Sequence, residues 1–389
     1  MPTSDRPDFH YFGYRIVHHM GAAVQHIQEF GFNAFDHPPI ADHLAFVITP
    51  ALDHFYTKAI ADLRHGPVVI ETAPKDDRYS SLQIFDMEHH TIFDQVTDPA
   101  GERFALVHAD YDGEVPDCPL IKTTSLFPYV FIRTQSFAFN ADATADRIRR
   151  ESVISGETSE IELPDPTDTL GLIAWTIANS GRYPQTADLI AEAAASYTPA
   201  IHKETFEDVK AFLRSGGVTG NPGMFEAVDD PAGGSHKVRA AGTLMGHLGL
   251  PVHHAYYQQV PVDRSGTLLS GANGPFAVTL PHDPGVDLFW SVTRYGADTF
   301  RPLDPADTGG NETQAFNAFN TEPDGDGKVT ITFSMDRPED GSYWMPVIEG
   351  GYYWIARYYG PAEALNGNTA HDIIYGGTPL QERFAPVRF

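Results

Sequence analysis

One cysteine, Cys118, in 389 residues leaves no intramolecular disulfide to form, so stability must come from packed cores and an oxidising compartment is disfavoured. Long apolar runs are missing too: none reaches the roughly 18 residues that a membrane-spanning helix needs. Basic residues are scarce. Lys+Arg number 26 against 52 Asp+Glu, a formal charge of −26, and such a surface repels phosphate backbones and anionic headgroups, so neither nucleic acid nor membrane is expected as a partner. The start, Met1-Pro2-Thr3-Ser4-Asp5, lacks the basic-then-apolar pattern of an export signal, and a cytoplasmic location is the expectation. Walker loop, dinucleotide fingerprint, nucleophile elbow and zinc-protease helix are all missing, which withdraws the common nucleotide and hydrolase signatures.

What is present suits more than one core. Hydrophobic residues make up 42% of the chain, and its length predicts two domains with a connecting region. From Tyr11 to Glu29, Phe12, Ile16, Met20, Ala23 and Ile27 recur at helical spacing, with Gly31 placed to end the helix. Arg15, His19, Ala22 and His26 form a second stripe on it. Two imidazoles and a guanidinium there could meet an anion or a metal, although a solvated face is the reading adopted.

Beyond Pro50 the runs Val68–Thr72, Ser80–Phe85, Phe104–His108 and Tyr129–Arg133 are strand-like, with turn residues between them. Helical periodicity returns at Thr169–Asn179, Thr186–Ala195 and Thr205–Arg214, with Pro184 and Pro199 as interruptions. A short helix is expected at Val238–Met245. Strands follow at Phe276–Leu280, Leu288–Thr293, Val329–Phe333 and Tyr352–Tyr359. The fold class read from this order is mainly β, a β-rich α+β chain: two tandem jelly-roll or β-sandwich domains, 1–160 and 224–389, with a helical connector at 161–223.

Two sets of motifs carry a resemblance. Gly66-Pro67-Val68-Val69, Arg78-Tyr79 and a strand ending at Asp86 lie in the first half. Tyr257-Gln258-Gln259-Val260, Phe289-Trp290-Ser291-Val292-Thr293, Asp324-Gly325-Asp326-Gly327, Trp344-Met345-Pro346 and Arg357-Tyr358-Tyr359-Gly360-Pro361 follow in order. The chain resembles a two-domain bacterial family in which domain of unknown function 1254 precedes domain of unknown function 1214. The resemblance implies jelly-roll sandwiches with helical additions, and homo-oligomers, but no established reaction. Leu52-Asp53-His54-Phe55-Tyr56 departs from the Asn-Asn-Asp-Thr stretch frequent in that family.

Several groups offer chemistry. Asp53, His54 and Tyr56 supply a carboxylate, a base of near-neutral pKa and a phenol, with the first two able to cooperate only outside strand geometry. Asp86-Met87-Glu88-His89-His90 is the metal candidate. His89 and His90 are its ligands, His108 or Asp94 a third, and zinc, iron or manganese suits nitrogen and oxygen donors. Trp290, Arg294, Tyr295 and Arg357 combine guanidinium with aromatic rings, a set suited to a carboxylate, sulfate or sugar, against the alternative of a sandwich core. Asp324 to Lys328 lacks the glutamate a calcium loop requires, since Met335 stands at its twelfth position, and reads as a hairpin turn.

The function expected is an enzyme acting on a small anionic or oxygenated organic molecule by hydrolysis or elimination, with or without a divalent metal. His54 or His89 is its base, Asp53 or Asp86 orients it with Tyr56 as a nearby phenol, and Arg78 or Arg294 holds the anionic group. The competing class is a non-catalytic tandem sandwich that binds a glycan or another protein through an aromatic face.

Overall fold

A computed structural model describes residues 6–44, 48–181, 183–214, 218, 220–263 and 265–361, and these form two compact units. Among the described residues the first unit takes those up to Pro39, His54–Ala211 and Pro222–Leu250. The second takes Ile40–Asp53, Phe212–Asn221 and those from Pro251 onward.

The first unit opens with helix α1 (Asp8–Phe30), whose leading aspartate complements the positive helix end and whose Gly31 cap, at φ 84°, returns its N–H to the Ile27 carbonyl. Strands β1 (His54–Ile60), β2 (Val68–Glu71), β3 (Ser80–Phe85), β4 (Thr91–Val96), β5 (Arg103–His108), β6 (Leu120–Thr123), β7 (Tyr129–Gln135) and β8 (Val153–Ser155) follow, with α2 (Ala143–Glu151) before β8. They make two four-stranded sheets, in the orders β1-β7-β3-β4 and β6-β5-β2-β8. Ala59, Leu82, Ile84, Val130 and Ile132 of one sheet meet Val68, Ile70, Phe104, Leu106 and Ile154 of the other, so this is a two-sheet sandwich with a single apolar interior.

Helices α3 (Thr169–Asn179), α4 (Ala187–Ser196), α5 (Pro199–Arg214) and α6 (His236–Gly246) complete the sequence. The helices of the segment expected as a connector, 161–223, pack onto the first unit. Leu172, Ile173, Trp175, Ile190 and Ala193 share a core with Phe12, Ile16, Met20 and Val24 of α1 and with Phe85 and Tyr129 of the first sheet. Pro199, expected to interrupt a helix, starts α5, where its missing N–H costs no hydrogen bond. The second stripe of α1 is not solvated either: Arg15, His19 and His26 are buried.

The second unit contains β9 (Ala255–Val260), β10 (Phe276–Pro281), β11 (Val286–Gly296), β12 (Ala315–Asn317), β13 (Lys328–Ser334), β14 (Tyr343–Pro346) and β15 (Tyr352–Pro361). Sheets β12-β11-β15-β9 and β10-β13-β14 face one another. Val278, Leu280, Val329, Ile331 and Met345 pack on Trp290, Val292, Trp354 and Tyr358. No helix among the described residues is long and apolar enough to cross a membrane.

Candidate metal centre

Three elements of the first unit deliver histidines to one place. The turn between β3 and β4 is organised by Asp86, whose Oδ1 accepts the N–H groups of Glu88 (2.9 Å) and His90 (2.8 Å) while its own N–H reaches the His90 carbonyl at 3.0 Å. His89 sits at the crest of that turn with φ 64°, a left-handed conformation that a non-glycine residue adopts only when its surroundings hold it. Helix α1 contributes His19. Past the end of α6, His247 also takes positive φ, 33°, and the loop behind it is pinned to the sheet: Gln83 Nε2 donates to the Gly249 carbonyl at 2.9 Å and Arg133 to that of Leu248.

One ring nitrogen from each of His19, His89 and His247 lies within 4.8 Å of the others. The tightest pair is His19 Nδ1 and His247 Nε2, 3.0 Å apart, and the ring centroids are separated by 4.9, 5.2 and 5.6 Å. Tetrahedral ligation at zinc–nitrogen distances of about 2.0–2.1 Å would place such nitrogens about 3.3 Å apart, so the rings would have to move to hold an ion together. The far nitrogen of His19 is at 2.9 Å from the Asp86 carbonyl, to which it donates, and that bond turns Nδ1 toward His247. His89 is oriented by Thr243 Oγ1, 3.2 Å from Nδ1, and by the His247 carbonyl beside Nε2.

Burial keeps these rings neutral, which is the form a metal requires. It lowers His19 to about 4, and lowers His89 and His247 well below the ordinary histidine value, with the neighbouring imidazoles adding to it. Close by is Arg15. Its Nη2 donates to the Glu88 carbonyl at 2.7 Å, its Nη1 faces His236 Nδ1 at 3.5 Å, and its Nε has no partner among the described residues. Glu88 accepts the Thr186 hydroxyl at 2.6 Å through Oε2. His19 and His89 are almost fully enclosed whereas His247 is partly exposed, so the outer side of the centre is the His247 side.

The residues singled out from sequence fall in different places. His89 is in the centre but His90 is not: its Nδ1 donates to Asp86 Oδ2 at 3.2 Å, and it serves the turn. Neither suggested third ligand joins them, since His108 Nε2 faces the Thr124 carbonyl on the other sheet and Asp94 lies within β4. His54 opens β1 and meets the Tyr79 ring edge-on at 5.3 Å. Tyr56 packs on Phe131, and Arg78 is clamped by Asp76 (2.6 Å) and Asp142 (3.0 Å). In the register of the sheet, His54 and Arg78 lie at the Ser80 end of β3 and Asp86 at the other, about 17 Å away at the usual rise per strand residue. Asp53 belongs to the second unit, where Oδ1 accepts from Asn317 Nδ2 at 2.9 Å. The four residues of the first unit therefore do not converge.

The arginine–aromatic set is divided by the faces of one sheet. Trp290 and Arg294 point into the sandwich of the second unit with Tyr358 and Trp354, their partners across β15. Tyr295 and Arg357 are on the opposite face, where Arg357 donates to the Tyr295 hydroxyl at 2.8 Å and to Thr293 Oγ1 at 3.2 Å. All four are buried, so they offer no shallow aromatic face.

Residues 32–155 match the family described as protein of unknown function DUF1254, and residues 254–363 that described as protein of unknown function DUF1214. Of the three clustered imidazoles only His89 falls within a matched segment. No curated protein matches the chain. The VPA0106 protein from Vibrio parahaemolyticus has a similar structure, with a TM-score of 0.71 and 21% identity over 92% of this chain and 94% of its own. A putative uncharacterized protein from Burkholderia cenocepacia is similar at a TM-score of 0.50 and 13% identity, over 93% of this chain and 88% of its own. These likenesses show the fold.

Proposed function

We propose, for a chain that belongs to the two-domain family joining DUF1254 to DUF1214, that the first unit is a metal-assisted enzyme acting on a small anionic or oxygenated organic molecule. The observation that carries this reading is the approach of His19, His89 and His247, from three separate elements, to within 4.8 Å. Three protein nitrogens leave a position of a tetrahedral ion open to water or to a substrate oxygen, the arrangement of catalytic rather than structural zinc. An ion held there would polarise a carbonyl or lower the pKa of bound water toward 7, which suits hydrolysis or elimination. Arg15 adds positive charge beside the turn that carries His89, favouring an anionic substrate group. Iron and manganese remain admissible for the same donors.

Metal analysis of the untagged, chelator-free protein tests it. The expected result is close to one ion per chain in the native protein and in His90→Ala, with loss in His19→Ala and in His247→Ala. Hydrolysis of a chromogenic carboxylic ester should follow the ion, disappearing on chelation and returning on reloading. Absence of an ion from the native protein, or its full retention in His247→Ala, would remove the reading.

A further inference from the structure

The interior of the second unit holds a set of buried hydrogen-bond donors that lacks an acceptor among the described residues. Arg294 is fully enclosed at 0% exposure. Its only described side-chain bond runs from Nη2 to the neutral amide oxygen of Gln314, and both Nε and Nη1 have no partner among the described residues. An enclosed guanidinium without a counter-ion is costly, and none of the chain's 52 carboxylates forms a described ion pair with it. Burial alone pushes the group down to about 9, with no carboxylate opposing the shift.

Two neighbours share the deficit. Trp354 is the direct cross-strand partner of Arg294, which places their Cβ atoms about 5 Å apart on the same face. Tyr352 is two residues along β15 and so on that face as well. The Trp354 indole N–H and the Tyr352 hydroxyl are both buried and lack partners among the described residues. By contrast, the other tryptophans of this unit are satisfied: Trp290 donates to the His282 carbonyl at 2.8 Å and Trp344 to that of Ser334 at 3.0 Å. Arginine and indole nitrogens only donate, so the missing component is an acceptor carrying negative charge.

We propose that the sandwich of the second unit binds a small organic monocarboxylate through Arg294, Trp354 and Tyr352. One uncompensated arginine calls for one negative charge. The surroundings of the donors are aromatic: Phe333 stacks on Trp354 at 5.6 Å and on Tyr352 at 5.8 Å, an environment for a carboxylate with an apolar body rather than for a strongly hydrated inorganic ion. This site belongs to the second unit and is independent of the metal reading.

Calorimetric titration of sodium benzoate, and separately of sodium chloride, into the full-length chain in low-chloride buffer is the test. Benzoate should saturate at one per chain. Arg294→Met, which replaces the cation by an apolar chain, should abolish the heat, and Trp354→Phe, which keeps a ring but loses the N–H, should weaken binding by on the order of tenfold. Circular dichroism melts confirm that each variant is folded, and if Arg294→Met is not, Trp354→Phe and Tyr352→Phe decide. Absence of benzoate binding, unchanged affinity in the variants, or saturation by chloride that benzoate does not compete with would each overturn the proposal.

Discussion

Asp53 shows how a single carboxylate changes meaning between sequence and structure. Beside His54 in the chain it suggests an orienting acid, yet it is buried against Asn317 in the second unit. Burial raises its carboxyl above the usual value of 3.8, and the hydrogen bond from Asn317, with nearby Ser291 and the charge of Arg357, offsets this only in part. A folded-state value above the unfolded one gives a contribution that is fully present below about pH 4 and is lost as pH rises through the folded value. Asp53→Asn removes that penalty. The unfolding free energy of the variant, from denaturant titration, should therefore gain on that of the native protein between pH 4 and pH 8, by about 1.4 kcal/mol for each pH unit by which burial raises the pKa. A difference that stays constant across this range would show that Asp53 has the same pKa in the folded and unfolded states, so that burial does not raise it. Nothing in Leu52-Asp53-His54 could signal this, because the partner Asn317 lies far along the chain.

At the scale of elements, apolar periodicity was a good guide to helices and strands with one buried side and a poor guide to those buried all round. Strand β2 (Val68–Glu71) and helix α3 (Thr169–Asn179), each with one enclosed side, fall where the pattern places them, and β3 (Ser80–Phe85), enclosed at every position, is the exception. Strand β1 went unread since His54-Phe55-Tyr56-Thr57-Lys58-Ala59-Ile60 mixes polar and apolar residues with nearly every position enclosed, leaving no alternation. The same reason hid the role of α1. Its His19 stripe looks solvent-facing because it is polar, but the β3–β4 turn and the loop beyond α6 cover it, and covering elements cannot be read from the helix itself. His247 had no local signal at all in Gly246-His247-Leu248-Gly249. Close packing around α1 yields a prediction. A Cβ on Gly13 would stand 2.6 Å from the Tyr197 ring. Helix propensity alone would make Gly13→Ala stabilising by about 1 kcal/mol, whereas overpacking costs about 1–3 kcal/mol, so the net expectation is a loss of stability or no gain. Urea unfolding decides, and a full 1 kcal/mol gain would mean that α4 and its Tyr197 cap yield freely.

For the whole molecule the dominant quantity is charge. With 52 acidic side chains against 26 basic ones the surface attracts any divalent cation loosely, and neutralising self-repulsion would raise the melting temperature without any site being filled. Ionic strength separates the two effects, because at 1 M salt the screening length is about 3 Å and surface attraction is largely lost. Magnesium prefers oxygen and keeps its water, so it measures the surface term, whereas zinc suits the imidazoles of His19, His89 and His247. In 10 mM sodium chloride both ions should raise the melting temperature. In 1 M sodium chloride the magnesium effect should vanish and the zinc effect persist. Zinc at a thousand times its dissociation constant would still add about 4 kcal/mol by mass action. His19→Ala should respond to zinc only as the native protein responds to magnesium. If the zinc effect fades with salt in parallel with that of magnesium, or survives in His19→Ala, the three imidazoles are packing groups and the charge of the surface accounts for every response to metal.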